Sequence, residues 1–230
     1  MTEIPEHMKI IETILWEDGN FLLPGFHADR LTRSCRYFSF PCDEKTFFDR
    51  LYSLEHHLPP HARRKIRLLV DKRGQMEVSV SKPASPPEKP VPVSISARKT
   101  RRDDILLRHK TTARDLYDRE LCSSRACGFF EVLFFNNYDE LTEGAISNVM
   151  IEKNGRYFTP PVNCGVLPGT YRRYLLEQSR LPLAEKILRR EDLFSADRIY
   201  VMNSVMRTVE AVLRGGQRSR DPGILRTRKE

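Results

Sequence analysis

The sequence has no apolar run approaching the roughly 20 residues that a membrane-spanning helix needs. Its first residues, MTEIPEHMKIIE, lack the apolar stretch of a secretion signal. No membrane partner and a cytoplasmic location are therefore expected. Cysteine is sparse and scattered. Cys35, Cys42, Cys122, Cys127 and Cys164 form no CxxC pair and are odd in number. They fit neither a secreted disulfide framework nor a zinc cluster, so reduced thiols and no metal are expected. There is no GxxxxGK[ST], no GxGxxG, no HExxH and no GxSxG. These absences exclude a P-loop, a dinucleotide fingerprint, a zinc-protease helix and a nucleophile elbow. Stacking aromatics framed by glycine, as on an RNA-binding sheet, are also missing.

What remains is a 230-residue chain, 40% hydrophobic and 30% charged. That composition is globular and long enough for one large domain or two small ones. Lys and Arg total 39 against 31 Asp and Glu, a net charge of +8. Such an excess suits nucleic acid, but equally an enzyme for phosphorylated or polycarboxylate ligands. Arg214, Arg218, Arg220, Arg226, Arg228 and Lys229 crowd the C-terminal end, which reads as a solvated basic tail over 215–230. Charge alone decides nothing here.

Residues 9–17, KIIETILWE, are β-branched and aromatic, and predict a strand. Helical spacing follows over 26–37 and 44–58. Residues 65–71 and 76–81 predict two strands turned at Gly74. The segment KPASPPEKPVP, 82–92, has proline at five positions and is the clearest linker. It divides a small N-terminal α/β domain, 1–82, from a larger domain, 93–214, across a linker at 83–92. Beyond it come a strand over 91–97 and a helix over 111–125 capped near Thr111 or Thr112. A strand over 131–136 is nearly all apolar. A hairpin over 148–161 turns at Asn154-Gly155. A helix over 168–180 opens at Pro168-Gly169, and a strand runs over 198–204. Strands and helices mix without βαβ alternation, so the fold class is α+β in two subdomains.

Four segments then stand out: HADRLTRSCRYFSFP (27–41), RHKTTARDLYDRE (108–120), TEGAISNVMIEKNGRYFTPP (142–161) continuing to VLPGTYRRYLLE (166–177), and RIYVMNSVMRTVEAV (198–212). In this order and spacing they resemble the class IV, fold-type IV family of pyridoxal-phosphate enzymes. That family holds branched-chain and D-amino-acid transaminases and aminodeoxychorismate lyases. The resemblance implies a small α/β domain beside a larger one with a barrel-like sheet, pyridoxal 5′-phosphate as cofactor, and a homodimer acting on a small-molecule substrate. It implies that Lys110 is the catalytic lysine that bonds the cofactor aldehyde, and Glu143 the carboxylate facing the pyridine nitrogen. Arg30, the backbone N–H groups of Thr170 and Tyr171, and Ser204 become phosphate contacts. The chemistry agrees: an amine, an acid partner and an anion cradle are what this cofactor requires.

Two departures stand beside the likeness. Ala113 occupies a position where the family often has Asn, and Glu12-Thr13 matches only the end of a longer family signature. Within the family the similarity is greatest to aminodeoxychorismate lyases, with an amino-acid transaminase as the alternative. A nucleic-acid-binding module is the remote alternative, and no nucleic-acid partner is expected. Arg108 and Arg207 are candidate, unassigned cations for substrate carboxylates.

Overall fold

A computed structural model describes residues 5–85 and 88–214. The basic tail expected over 215–230 lies outside the described residues.

The first six elements are β1 (Ile10–Glu17), β2 (Asn20–Phe21), α1 (Pro24–Phe38), α2 (Glu44–Tyr52), β3 (Arg64–Val70) and β4 (Met76–Ser81). The four strands form an antiparallel sheet in the order β2-β1-β3-β4. Period-two alternation puts Ile10, Ile14 and Trp16 of β1 and Ile66, Leu68 and Val70 of β3 into one core. Helical spacing brings Ala28, Leu31 and Cys35 of α1 and Phe47 and Leu51 of α2 onto that core. Pro24 opens α1, where its missing N–H costs nothing. Asp43 caps α2 by accepting from Thr46 N at 2.8 Å. The helix expected over 44–58 stops at Tyr52, and a separate 3-10 turn covers Glu55–His57. Truncating a buried side chain such as Leu31 to Ala would cost about 2–5 kcal/mol.

The rest of the chain supplies β5 (Val91–Ile95), α3 (Asp115–Ala126), β6 (Glu131–Phe135), β7 (Leu141–Gly144), β8 (Asn148–Lys153), β9 (Arg156–Thr159), α4 (Thr170–Glu177), β10 (Leu183–Glu185), α5 (Arg190–Phe194), β11 (Arg198–Asn203) and β12 (Arg207–Leu213). Strand β5 begins at Val91, inside the proline-rich stretch. Pairing runs β8-β11-β12-β5-β6-β7, and β7 pairs back onto β8 at Glu143↔Asn148. These six strands therefore close into a barrel-like ring, with β9 and β10 extending it from β8. Val93, Leu133, Phe135, Val149, Val201 and Val209 share one core. Val132 and Phe134 of β6 pack instead with Tyr117 and Leu121 of α3. Both faces of β6 are thus covered, which explains its unbroken apolar run. The fold is α+β, as expected. No helix among the described residues is long and apolar enough to cross a membrane.

One expected boundary is wrong in a way that matters. The helix read from residue 111 starts at Asp115. Thr111 and Thr112 do not cap it; Thr111 bridges to Ile10 of β1, and Thr112 is held by Lys9 just before that strand. Ile11 N donates to Lys110 O at 2.7 Å, Thr112 N to Lys9 O at 2.9 Å, and Lys9 N to Thr112 Oγ1 at 2.9 Å. Pairing with a distant strand outcompetes the local capping preference and fixes the backbone of Lys110.

Candidate active site

A cavity of about 470 Å³ lies between the four-stranded sheet and the barrel. Its walls come from β1 (Thr13), β3 (Lys65), α1 (Arg30), Leu106 and Leu107, residues 109–111, Ala113 and Arg114, the turn from β7 to β8, the start of α4 and the loop from β11 to β12. Lys110, Glu143, Arg30, Thr170 and Ser204 all line it. Five of the six residues expected at the site thus meet in one place.

Lys110 lines this space, and its amine has no hydrogen-bond or ion-pair partner among the described residues. Withdrawal from water, with Arg30 and Arg114 nearby, pulls it down to about 7 against the partial support of Glu12. At neutral pH much of it is therefore the neutral nucleophile.

Glu143 is the next-to-last residue of β7 and is 5% exposed. Its Oε1 accepts from Tyr117 OH at 3.1 Å; Oε2 accepts from Asn148 Nδ2 and Leu167 N, both at 3.1 Å. Burial raises its carboxyl to about 7, although the Leu167 and Tyr117 donors and the charges of Lys110 and Arg114 oppose the rise. Glu131 holds the turn beyond it. This buried carboxylate accepts from Ala145 N, Ile146 N and Ser147 Oγ at 3.0, 3.1 and 2.7 Å.

Arg30 is 5% exposed and gives Nε and Nη2 to Glu12 at 2.8 and 2.6 Å. Its remaining N–H groups are left for an anion. Gly169 precedes α4, and a Cβ there would lie 1.9 Å from Asn148 Oδ1, so only glycine lets the helix start this close. The N–H groups of Thr170 and Tyr171 take no carbonyl partner among the described residues, as expected for a first turn. The Tyr171 side chain lies outside the cavity, tilted against Tyr174 at 5.9 Å, so only its backbone can serve. Ser204 Oγ donates to Thr13 O at 2.9 Å. Its hydroxyl proton is thereby spent on tying the β11–β12 loop to β1.

Neither Arg108 nor Arg207 lines the cavity; Arg207 pairs with Glu17 at the surface. The lining cations that sequence reasoning missed are Arg63, Lys65, Lys89, Arg114 and Arg125. Alternation on β3 carried part of that signal, because Lys65 must oppose core residues Ile66 and Leu68. Glu12 and His27 were missed too, and both are buried beside Arg30.

The sequence profile of the amino-transferase class IV family matches residues 9–212. This chain belongs to that family, whose members depend on pyridoxal phosphate. It is similar to a Schizosaccharomyces pombe protein provisionally named an aminodeoxychorismate lyase, 24% identical over 213 residues and covering 90% of each chain. It is similar to a crystal structure from Mesorhizobium loti provisionally described as an amino-acid aminotransferase. That match has 30% identity and a TM-score of 0.81, and covers 90% of this chain and all of that one. The pyridoxal-phosphate-bound form of a hypothetical aminotransferase from Mycobacterium tuberculosis shares the fold, with a TM-score of 0.79 at 22% identity, over 90% of this chain and 81% of that one.

The residues present fit the cofactor. One cavity is lined by a lysine with an unpartnered amine, a buried carboxyl, a half-committed guanidinium and a helix start with free N–H groups. These are the donors that an aldehyde, a pyridine nitrogen and a phosphate call for.

Proposed function

We propose that this protein is an aminodeoxychorismate lyase, converting 4-amino-4-deoxychorismate to 4-aminobenzoate and pyruvate. The observation that carries the reading is similarity to the Schizosaccharomyces pombe protein along 90% of both chains. The cavity's charge supports it. Arg30, Arg63, Lys65, Lys89, Arg114 and Arg125 line it beside Lys110, against Glu143 as the only lining carboxylate among the described residues. A cofactor phosphate and a substrate with two carboxylates would balance that excess.

In this reading Lys110 holds the cofactor, and Arg30 with the first turn of α4 holds its phosphate. When bound, pyridoxal phosphate supplies a sink for the electrons of a broken C–H bond. Lys110 would serve as the base that takes the proton from the amine-bearing carbon of the substrate. Glu143 keeps a proton at the pyridine nitrogen, and Tyr117, Asn148 and Leu167 N fix its orientation. Breaking the C–O bond to the enolpyruvyl group would leave an aromatic ring, and Lys110 would return the proton to the leaving group. Pyruvate is then the second product.

The Mesorhizobium loti likeness favours a second reading, an amino-acid transaminase. One assay separates them. Release of pyruvate from aminodeoxychorismate without any oxo-acid acceptor is expected; amino transfer to 2-oxoglutarate with no pyruvate release would replace the lyase by the transaminase.

A further inference from the structure

A buried chain of hydrogen bonds joins the two anion-binding arms of the cavity. Glu12 of β1 is 1% exposed and sits on the face of the strand that packs against α1. It is bound by three donors: Nε and Nη2 of Arg30, and Nδ1 of His27 at 2.6 Å. On the far side of the imidazole, His27 Nε2 lies 3.4 Å from Oγ1 of Thr170, the first residue of α4. His27 and Thr170 are themselves buried. One carboxylate and one imidazole thus connect β1, α1 and α4.

The chemistry of each link fixes the next. Burial alone would push the Glu12 carboxyl up, but Arg30 and His27 more than offset it and hold it at about 2. Glu12 is therefore a carboxylate and can only accept. Its short contact makes Nδ1 the protonated nitrogen of His27. Burial keeps the imidazole below its ordinary value, against the pull of Glu12. A neutral His27 has Nε2 as acceptor, so the Thr170 hydroxyl donates to it. That proton then points back towards α1, and α4 offers an anion its backbone N–H groups. Arg30 has five N–H groups. Two are committed to Glu12, which sets the rotation of the guanidinium and leaves three.

We propose that Glu12 and His27 are positioning residues for the cofactor's phosphate: Glu12 fixes the guanidinium of Arg30, His27 keys Thr170, and both arms are thereby aimed at one dianion. The proposal rests on the reading above that the phosphate lies at Arg30 and Thr170.

The test compares pyridoxal phosphate with pyridoxal, the same aldehyde without phosphate. Dissociation constants for both are measured by absorbance titration on the full-length chain stripped of cofactor. Wild type should prefer the phosphorylated form, and Arg30→Met should lose most of that preference; failure of either result overturns the phosphate reading itself. Glu12→Gln should weaken pyridoxal phosphate at least about tenfold, the scale of one charge-assisted hydrogen bond, with pyridoxal changed less than about twofold. His27→Asn keeps an amide donor towards Glu12 but removes the link to Thr170, so its loss in the same ratio should be smaller, roughly threefold. If Glu12→Gln does not fold, His27→Asn decides. Wild-type ratios in these variants beside a reduced ratio in Arg30→Met would overturn the proposal. So would parallel loss of both affinities, which marks a merely structural pair.

Discussion

Two side chains of opposite charge type share the cavity, and burial drives both towards neutrality. Lys110 falls to about 7 and Glu143 rises to about 7. The same loss of hydration acts on each, and the sign differs because one is charged when protonated and the other when not. For Lys110 the consequence is kinetic. Only the neutral amine attacks an aldehyde, and its share grows roughly tenfold per pH unit below its pKa. Cofactor uptake by the stripped protein, followed by absorbance, should therefore accelerate as pH rises to about 7 and level off above it. A rate still rising steeply to pH 10 would mean an amine with an ordinary lysine value. Lys110 and Glu143 could be singled out in the sequence because four segments together resemble the class IV family, whereas the segment around Lys110 alone reads equally as a surface lysine at a helix start. Glu12 and His27 could not be singled out, since their meaning lies in a contact between β1 and α1 that no local pattern announces.

Elements place these residues by competition between local preference and distant pairing. Asn154-Gly155 turns its hairpin as expected, with Asn154 and Gly155 at φ 51° and 70°. Thr111 and Thr112 look like caps but pair with Ile10 of β1 and with Lys9 just before it, and α3 begins three residues after Thr112. Strand β7 is four residues long, too short for periodicity to reveal, and it carries Glu143. Its turn depends on Glu131, whose carboxylate satisfies three donors of residues 145–147 as well as Val132 N. An amide there would set its own NH₂ against those donors. Glu131→Gln should lower stability by about 2–4 kcal/mol, read as a shift in urea midpoint at constant slope. It should also weaken cofactor binding, since Glu143 stands on that turn. An unchanged midpoint would show that the turn holds without the charge.

At the scale of the whole molecule, the α+β class was readable from strands and helices that mix without βαβ alternation, but barrel closure was not. Closure needs β5 to lie parallel to both β6 and β12, and β12 is paired through Ala211↔Val91 across 120 positions of sequence. The +8 net charge was equally ambiguous in the sequence. The fold resolves part of it by lining one cavity with cations from β3, α3 and the segments before them. The homodimer implied by the family resemblance is a further expectation. Light scattering should give about 54 kDa, twice the 26.9 kDa chain, and a monomer at micromolar concentration would contradict it.

The most direct test is chemical. The protein loaded with pyridoxal phosphate is reduced with borohydride, digested, and the modified peptide sequenced by mass spectrometry. The label is predicted on Lys110 alone, and Lys110→Ala should lose both the label and the visible absorbance. A label on another lysine, or an unchanged spectrum in that variant, would contradict the assignment of this cavity as the active site.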